Sequence, residues 1–218
     1  MKITPVVAAL AASPIQAGWQ GGNPAAGGQA VLPVSVPLSD VEGSTLTLMR
    51  EEEKLARDVY LTLFDAWKHP VFSNISAAEQ RHMDNMKRLL DIYGLVDPVV
   101  DDTVGVFTNT NLAAMYQELV SKGEVSLEDA LYMGALIEEL DITDLNRAIA
   151  ESTHADVTKA YENLMRGSRN HLRAFVRQIE NMGIVYEAQV MSQEEVDEII
   201  NSAVERGGKG RGKWRGGR

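Results

Sequence analysis

Cysteine is absent from the 218 residues of this chain. Its absence excludes disulfide bonds, thiolate metal sites, a cysteine nucleophile and an iron centre held by cysteines. It does not decide the compartment, because exported proteins also exist without cysteine.

Long apolar runs are also missing. No stretch reaches the roughly 20 consecutive apolar residues that a membrane-spanning helix needs. Hydrophobic residues nevertheless make up 44% of the chain, which is enough for a buried core. The length leaves room for one domain with tails. We therefore predict a single domain without a membrane span.

Basic residues are scarce outside the C-terminus. The formal net charge is −10, and six Lys and Arg without any acid lie from Arg206 to the end, which leaves −16 on the rest. An acidic body binds nucleic acid poorly. We predict that the Gly/Arg/Lys tail, 207–218, is disordered. It is either a solvated end, a segment folded back on the acidic body, or a contact for RNA, acidic lipid or an acidic protein.

The N-terminus resembles a short secretory signal. Met1-Lys2 precedes a mostly apolar stretch, 3–12, and small residues follow. This pattern predicts a signal peptide over 1–17 and export to the periplasm or the extracellular space. The alternatives are a disordered leader or a misassigned start codon in a cytoplasmic protein. A Gly/Pro-rich flexible linker is predicted over 18–44.

Apolar residues at helical spacing predict four long amphipathic helices. Their predicted bounds are 45–68, 73–93 (or 76–93), 126–152 and 156–182. A long connection, 95–125, joins the second to the third and contains a short helix near 111–121 and an extended piece at 99–107. A capping box at Ser192 predicts a final helix over 190–206. Two antiparallel pairs joined by one crossover predict an all-α, ferritin-like four-helix bundle over 45–186.

Charged residues lie on the inward stripes of these helices. Glu79 and His82 are three apart and share a face with Met86 and Leu89. A buried carboxylate without a partner costs several kcal/mol or more. A Glu-x-x-His pair presents an oxygen and a nitrogen to one point, as in dinuclear carboxylate bundles. The alternative interpretation is a solvated helix face.

The third and fourth helices carry further candidates. Glu138 lies on the core stripe among apolar neighbours, with Glu139 and Asp141 beside it. The alternative is an acidic run that faces solvent. His171 lies on the core stripe of the fourth helix, where the alternative is a hydrogen-bonded structural histidine.

The first helix contains three consecutive glutamates, 51–53. At about 100° per residue they fan around the helix, so only one or two can face inward. Glu52 lies nearest the centre of the apolar stripe, and Glu53 lies at its edge. The alternative is that all three are first-turn acids favoured by the helix dipole.

Taken in order, these motifs resemble a branch of unknown function within the ferritin-like superfamily, related to rubrerythrin and bacterioferritin. The resemblance covers about 45–182 and is carried by the runs 52–60, 79–82, 137–141 and 167–173. It implies metal ligands at Glu53, Glu79, His82, Glu138 and His171, with Glu52, Glu139 and Asp141 as second choices. The family has a glutamate where this chain has Ser168. Either Asp141 replaces that carboxylate, or the second ion is held loosely.

The resemblance implies a di-iron site, with Mn or Zn as alternatives. The implied activity is that of an oxidoreductase, peroxidase-like or ferroxidase-like, which reduces O₂ or peroxide as iron is oxidised. Since cysteine is lacking, electrons must come from an external donor or from ferrous iron itself. Tyr60 and Tyr93 would either hydrogen-bond a bound oxygen species or pack in the core. A homodimer is typical of such relatives. The alternative function is a non-catalytic metal-binding or helical interaction module.

Overall fold

The computed structural model describes residues 36–207, which form six α-helices and contain no strand. The helices are α1 Asp40–Trp67, α2 Pro70–Tyr93, α3 Thr110–Gly123, α4 Leu127–Glu151, α5 Ala155–Asn181 and α6 Gln193–Asn201. The predicted all-helical class is therefore confirmed, whereas the extended piece expected at 99–107 is irregular. The expected signal peptide, most of the expected linker and the tail from 208 onward lie outside the described residues.

Two helices begin earlier than the apolar periodicity predicts. α1 begins at Asp40 because Ser39 and Glu42 form a capping box: the Ser39 hydroxyl accepts from the Glu42 amide at 3.2 Å, and the Glu42 carboxylate accepts from the Ser39 amide at 3.1 Å. α2 begins at Pro70, because proline lacks the amide that the first helical turn leaves unbonded. Helix ends thus follow capping chemistry, which extends beyond the apolar stripe.

Other helix ends lie closer to the bounds that the sequence predicts. Ser126 caps α4 by accepting from the Asp129 amide at 3.0 Å. Gly94 ends α2 in the left-handed conformation, with φ of 67°. Ser192 opens α6 with the predicted capping box, but α6 ends at Asn201, short of the expected residue 206.

The four long helices pack as two pairs. α1 packs along α2, and α4 packs along α5. The pairs meet where α1 contacts α4 and α2 contacts α5. Within the described range, the backbones of α1 and α5 are not adjacent, and neither are those of α2 and α4. The apolar core therefore lies between the pairs, with α3 against α1 and α4, and with α6 against α5.

The outer face of α1 holds the long connection in place through buried charges. The ammonium group of Lys54 is fully buried, bonded to Asp58 and to the Thr103 carbonyl at 2.9 Å, and it lies 4.6 Å from the centre of the Phe107 ring. Arg57 donates to Asp102 at 2.7 Å. Because each of these buried charges has a partner of opposite charge, the cost of removing it from water is offset. The opposite face of α1 is turned toward the other long helices.

No helix within residues 36–207 is both long enough and apolar enough to cross a membrane.

Candidate metal centre

Two groups of ligand-type side chains meet between the long helices. Glu53 from α1 lies with Glu79 and His82 from α2, and the same Glu79 lies with Glu138 from α4 and His171 from α5. Within each group, one ligand-type atom from each residue lies within 4.8 Å of those from the other two. The structure thus brings together the five residues that were the first choice as ligands, and every long helix contributes at least one.

Glu79 connects the two groups through its two oxygens. Its Oε2 lies 2.7 Å from His82 Nδ1, and its Oε1 lies 2.8 Å from His171 Nδ1. Each histidine nitrogen has a further carboxylate: Glu53 Oε2 at 3.1 Å from His82, and Glu138 Oε2 at 3.5 Å from His171. The imidazole ring centres are 5.7 Å apart. The Glu79 carboxylate therefore lies between two similar pairs of groups, each made of one carboxylate and one imidazole.

Three atoms of the second group are buried without a hydrogen bond. They are Glu79 Oε1, Glu138 Oε2 and His171 Nδ1. Glu79 Oε1 and His171 Nδ1 are only 2.8 Å apart, but their relative orientation does not suit a hydrogen bond. Leaving a buried polar group unsatisfied costs about 1–3 kcal/mol, and more when it is charged. A cation between the three atoms would satisfy all of them, so the donors fit a metal ion.

The electrostatics of the centre favour positive charge. Burial raises the pKa of Glu53 to about 8, against the opposing charge of His82. Burial also raises the pKa of Glu79, but His171 and His82 outweigh this effect and bring it below its usual range. For His171, burial lowers the pKa, yet the Glu79 and Glu138 carboxylates raise it to about 10. Bound metal would displace protons from such histidines.

The three consecutive glutamates of α1 have three different surroundings. Glu53 faces the centre. Glu51 accepts from the amides of Thr108 and Asn109, at 2.7 and 3.1 Å, and so holds the long connection. Glu52 is buried but belongs to neither ligand group, and burial together with the charges of Asp144 and Glu53 raises its pKa to about 8. Between the two candidates left open by the sequence, the geometry brings Glu53 to the site.

The second-choice residues of α4 also separate. Glu139 faces the loop before α6, where it accepts from Tyr186 Oη at 2.6 Å and from the amides of Val190 and Met191 at 2.6 and 2.9 Å. Both of its oxygens are engaged, so it anchors this loop and is not a ligand of the centre. Asp141 lies outside both groups, although its Oδ2 is buried and makes no hydrogen bond.

Gly167 and Ser168 determine what α5 presents to the centre. The Ser168 side chain is buried, and its hydroxyl donates to the Leu164 carbonyl at 3.3 Å, so it supplies no carboxylate. A Cβ atom on Gly167 would lie 2.5 Å from His82 Cε1. The glycine therefore allows the imidazole of His82 to lie against α5.

The two candidate tyrosines differ in position. Tyr60 Oη donates to Glu138 Oε1 at 2.5 Å, so it contacts a ligand residue. Burial, followed by the charges of Glu138 and Glu79, raises the pKa of Tyr60 well above its usual value and keeps it a donor. Tyr93 instead donates to Asp156 at 2.7 Å near the end of α5. Tyr93 therefore lies away from the ligand groups, and its partly buried ring packs against the core, which is the alternative predicted for it.

Known proteins share this chain's sequence and fold. A family model described as "Uncharacterized protein domain (DUF2202)" matches residues 42–203. The chain is 53% identical over 171 residues to "Uncharacterized protein MJ0754" of Methanocaldococcus jannaschii, covering 78% of this chain and 92% of that protein. The crystal structure of hypothetical protein MJ0754 matches with a TM-score of 0.77 at 51% identity, over 81% of this chain and all of that one. This chain therefore belongs to the DUF2202 family.

Proposed function

We propose that this protein binds a pair of divalent metal ions inside a ferritin-like four-helix bundle formed by α1, α2, α4 and α5. The helix packing supports the bundle, because two adjacent pairs are joined by one long connection that carries α3. A sequence resemblance to the ferritin-like superfamily points to the same architecture.

The observation that carries the proposal is the position of Glu79 between two histidines. Glu53 and His82 would hold one ion, Glu138 and His171 would hold the other, and Glu79 would bind both. Carboxylate and imidazole donors together suit Fe, Mn or Zn, and the resemblance favours iron.

For an iron pair, the favoured activity is that of an oxidoreductase acting on O₂, peroxide or ferrous iron. Bound iron would supply the electrons for that reduction. The protein supplies a dry site, since Glu53, Glu79 and Glu138 are all at least 97% buried. Tyr60 keeps a proton on its own oxygen and orients Glu138 through it. Electrons beyond those of iron must come from a donor outside this chain, which has no cysteine.

A second candidate function is metal binding without turnover. It is favoured by Ser168, which stands where ferritin-like sites supply a fourth carboxylate. With three carboxylates facing two divalent ions, the centre keeps an excess of positive charge that would oppose oxidation of the metal.

Anaerobic titration of the metal-free full-length chain with Fe(II), followed by O₂, tests both candidates. Two ions per chain and a new near-ultraviolet absorption after O₂ would support the redox function. Two ions without a spectral change would support metal binding alone. If purified protein neither contains nor takes up metal, both are overturned.

A pair of variants tests the ligand assignment. Glu79→Gln should lose most of the bound metal, because it removes the ligand common to both groups. Glu162→Gln removes the same charge from an exposed position on α5 and should keep both ions. Helical circular dichroism of both variants shows whether the fold survives.

A further inference from the structure

We propose that Glu52, Asp141 and Asp144 form an acidic route along which metal cations pass from solvent to the paired centre. The route rests on the proposed function, since it needs a metal centre at its inner end. These three residues belong to neither ligand group.

The α4 side of the route follows from helical spacing. Glu138, Asp141, Asp144 and Arg147 recur every third residue, which places successive side chains on neighbouring positions about 4.5 Å apart along the axis. Exposure increases along this row: the side chain of Glu138 is 0% exposed, that of Asp144 is 21% and that of Arg147 is 58%. The row therefore leads from a ligand of the centre to the surface.

The α1 side of the route is Glu52, beside the ligand Glu53. Glu52 is only 8% exposed, and its Oε2 makes no hydrogen bond. Asp141 Oδ2 on α4 is likewise buried without a partner. The two sides of the route face each other because α1 packs against α4. In agreement, the charges of Asp144 and Glu53 add to burial in raising the pKa of Glu52, and those of Glu53 and Glu138 do so for Asp141.

These two carboxylates have no visible structural task. Their sequence neighbours do, because Glu51 and Glu139 each bind backbone amides of a connecting segment. Buried polar groups are normally hydrogen-bonded, so unpartnered carboxylates beside a cluster of three others call for a ligand. A cation in transit would satisfy them in turn. At the entrance, the partly exposed Asp144 carboxylate would also raise the local concentration of cations.

Arg147 closes the outer end of the route by bonding to Asp144. Such a contact with a largely exposed arginine contributes little stability and breaks readily. An arriving cation can therefore replace the guanidinium group at Asp144. This arrangement predicts opposite effects for the two residues: removing the Asp144 charge slows metal uptake, and removing Arg147 accelerates it.

Stopped-flow loading of the metal-free full-length chain with Co(II), followed by its visible absorption, tests the route. Asp144→Asn and Glu52→Gln should each load about tenfold more slowly than the unaltered protein. Arg147→Gln should load faster. The final number of bound ions should stay the same in all three, because none removes a proposed ligand. The control Glu162→Gln, an exposed acid on α5, should load at the original rate.

Raising the ionic strength should slow loading of the unaltered protein more than loading of Asp144→Asn, because salt screens an exposed charge. If Asp144→Asn and Glu52→Gln both load within about twofold of the original rate and reach the same stoichiometry, the route is overturned while the metal centre stands. If the unaltered chain binds no Co(II), Fe(II), Mn(II) or Zn(II), the proposed function fails and the route falls with it.

Discussion

The Gly167→Ala substitution acts on the metal centre through a single atom. The added Cβ would lie 2.5 Å from His82 Cε1 and 2.8 Å from His82 Nε2. Carbon atoms pack at about 3.5–4.0 Å, so the imidazole must move by about 1 Å. Metal–ligand distances tolerate only about 0.2 Å. We therefore expect the variant to lose the ion held by Glu53 and His82 and to keep the ion held at His171.

The effect of Gly167→Ala on stability without metal should be small. Alanine gains about 1 kcal/mol over glycine inside a helix. Overpacking costs about 1–3 kcal/mol and opposes that gain. Urea unfolding of the metal-free protein should thus show a free energy of unfolding within about 2 kcal/mol of the original, while elemental analysis shows one ion per chain instead of two.

Gly43→Ala is the matched control for this experiment. Gly43 also lies inside a helix, and its added Cβ would meet only Leu95 side-chain carbons at 3.6 and 3.7 Å, an ordinary contact. This variant should gain about 1 kcal/mol and keep both ions. If Gly167→Ala binds two ions with unchanged affinity, His82 is not a ligand in the position seen here, and the reasoning is refuted.

Three further substitutions test other contacts. Tyr60→Phe removes the hydrogen bond that Glu138 accepts from Tyr60. Urea unfolding should show the metal-free protein destabilised by about 1–3 kcal/mol, and metal titration should show weaker binding of the ion held by Glu138 and His171. Glu139→Gln should loosen the loop before α6, seen as faster amide hydrogen exchange there, without changing metal stoichiometry. Glu42 raises the pKa of His154, so this pair stabilises the fold below about pH 6 and loses that contribution as pH rises. His154→Ala should therefore lower the midpoint of thermal unfolding more near pH 6 than near pH 9.

Local patterns were sufficient to predict the helices. The spacing of apolar residues predicted all four long helices, and capping residues marked the starts of α4 and α6. The same periodicity placed Glu79, His82 and His171 on inward stripes, because a residue's direction around its own helix depends only on its position in the sequence. The early start of α1 was predictable too, since Ser39 and Glu42 have capping-box spacing.

The choice between neighbouring glutamates was not predictable in this way. α1 faces α2 on one side and α4 on another, so it has two inward directions rather than one. Glu53 points toward α2 and contacts His82. Glu52 points toward α4, where the charge of Asp144 helps to raise its pKa. Glu139 is buried just as fully as Glu138, yet it serves a loop that returns some 50 residues later in the chain.

By itself, the sequence determined the helical class, most helix ends and the polar residues that had to turn inward. Only the tertiary structure decided which of them meet, because a side chain's distance from residues on other helices depends on how those helices pack. The clearest case is His82, whose ring can lie against α5 only because Gly167 has no side chain at that contact. Neither residue signals the other in the sequence, since 84 intervening residues and the long connection separate them.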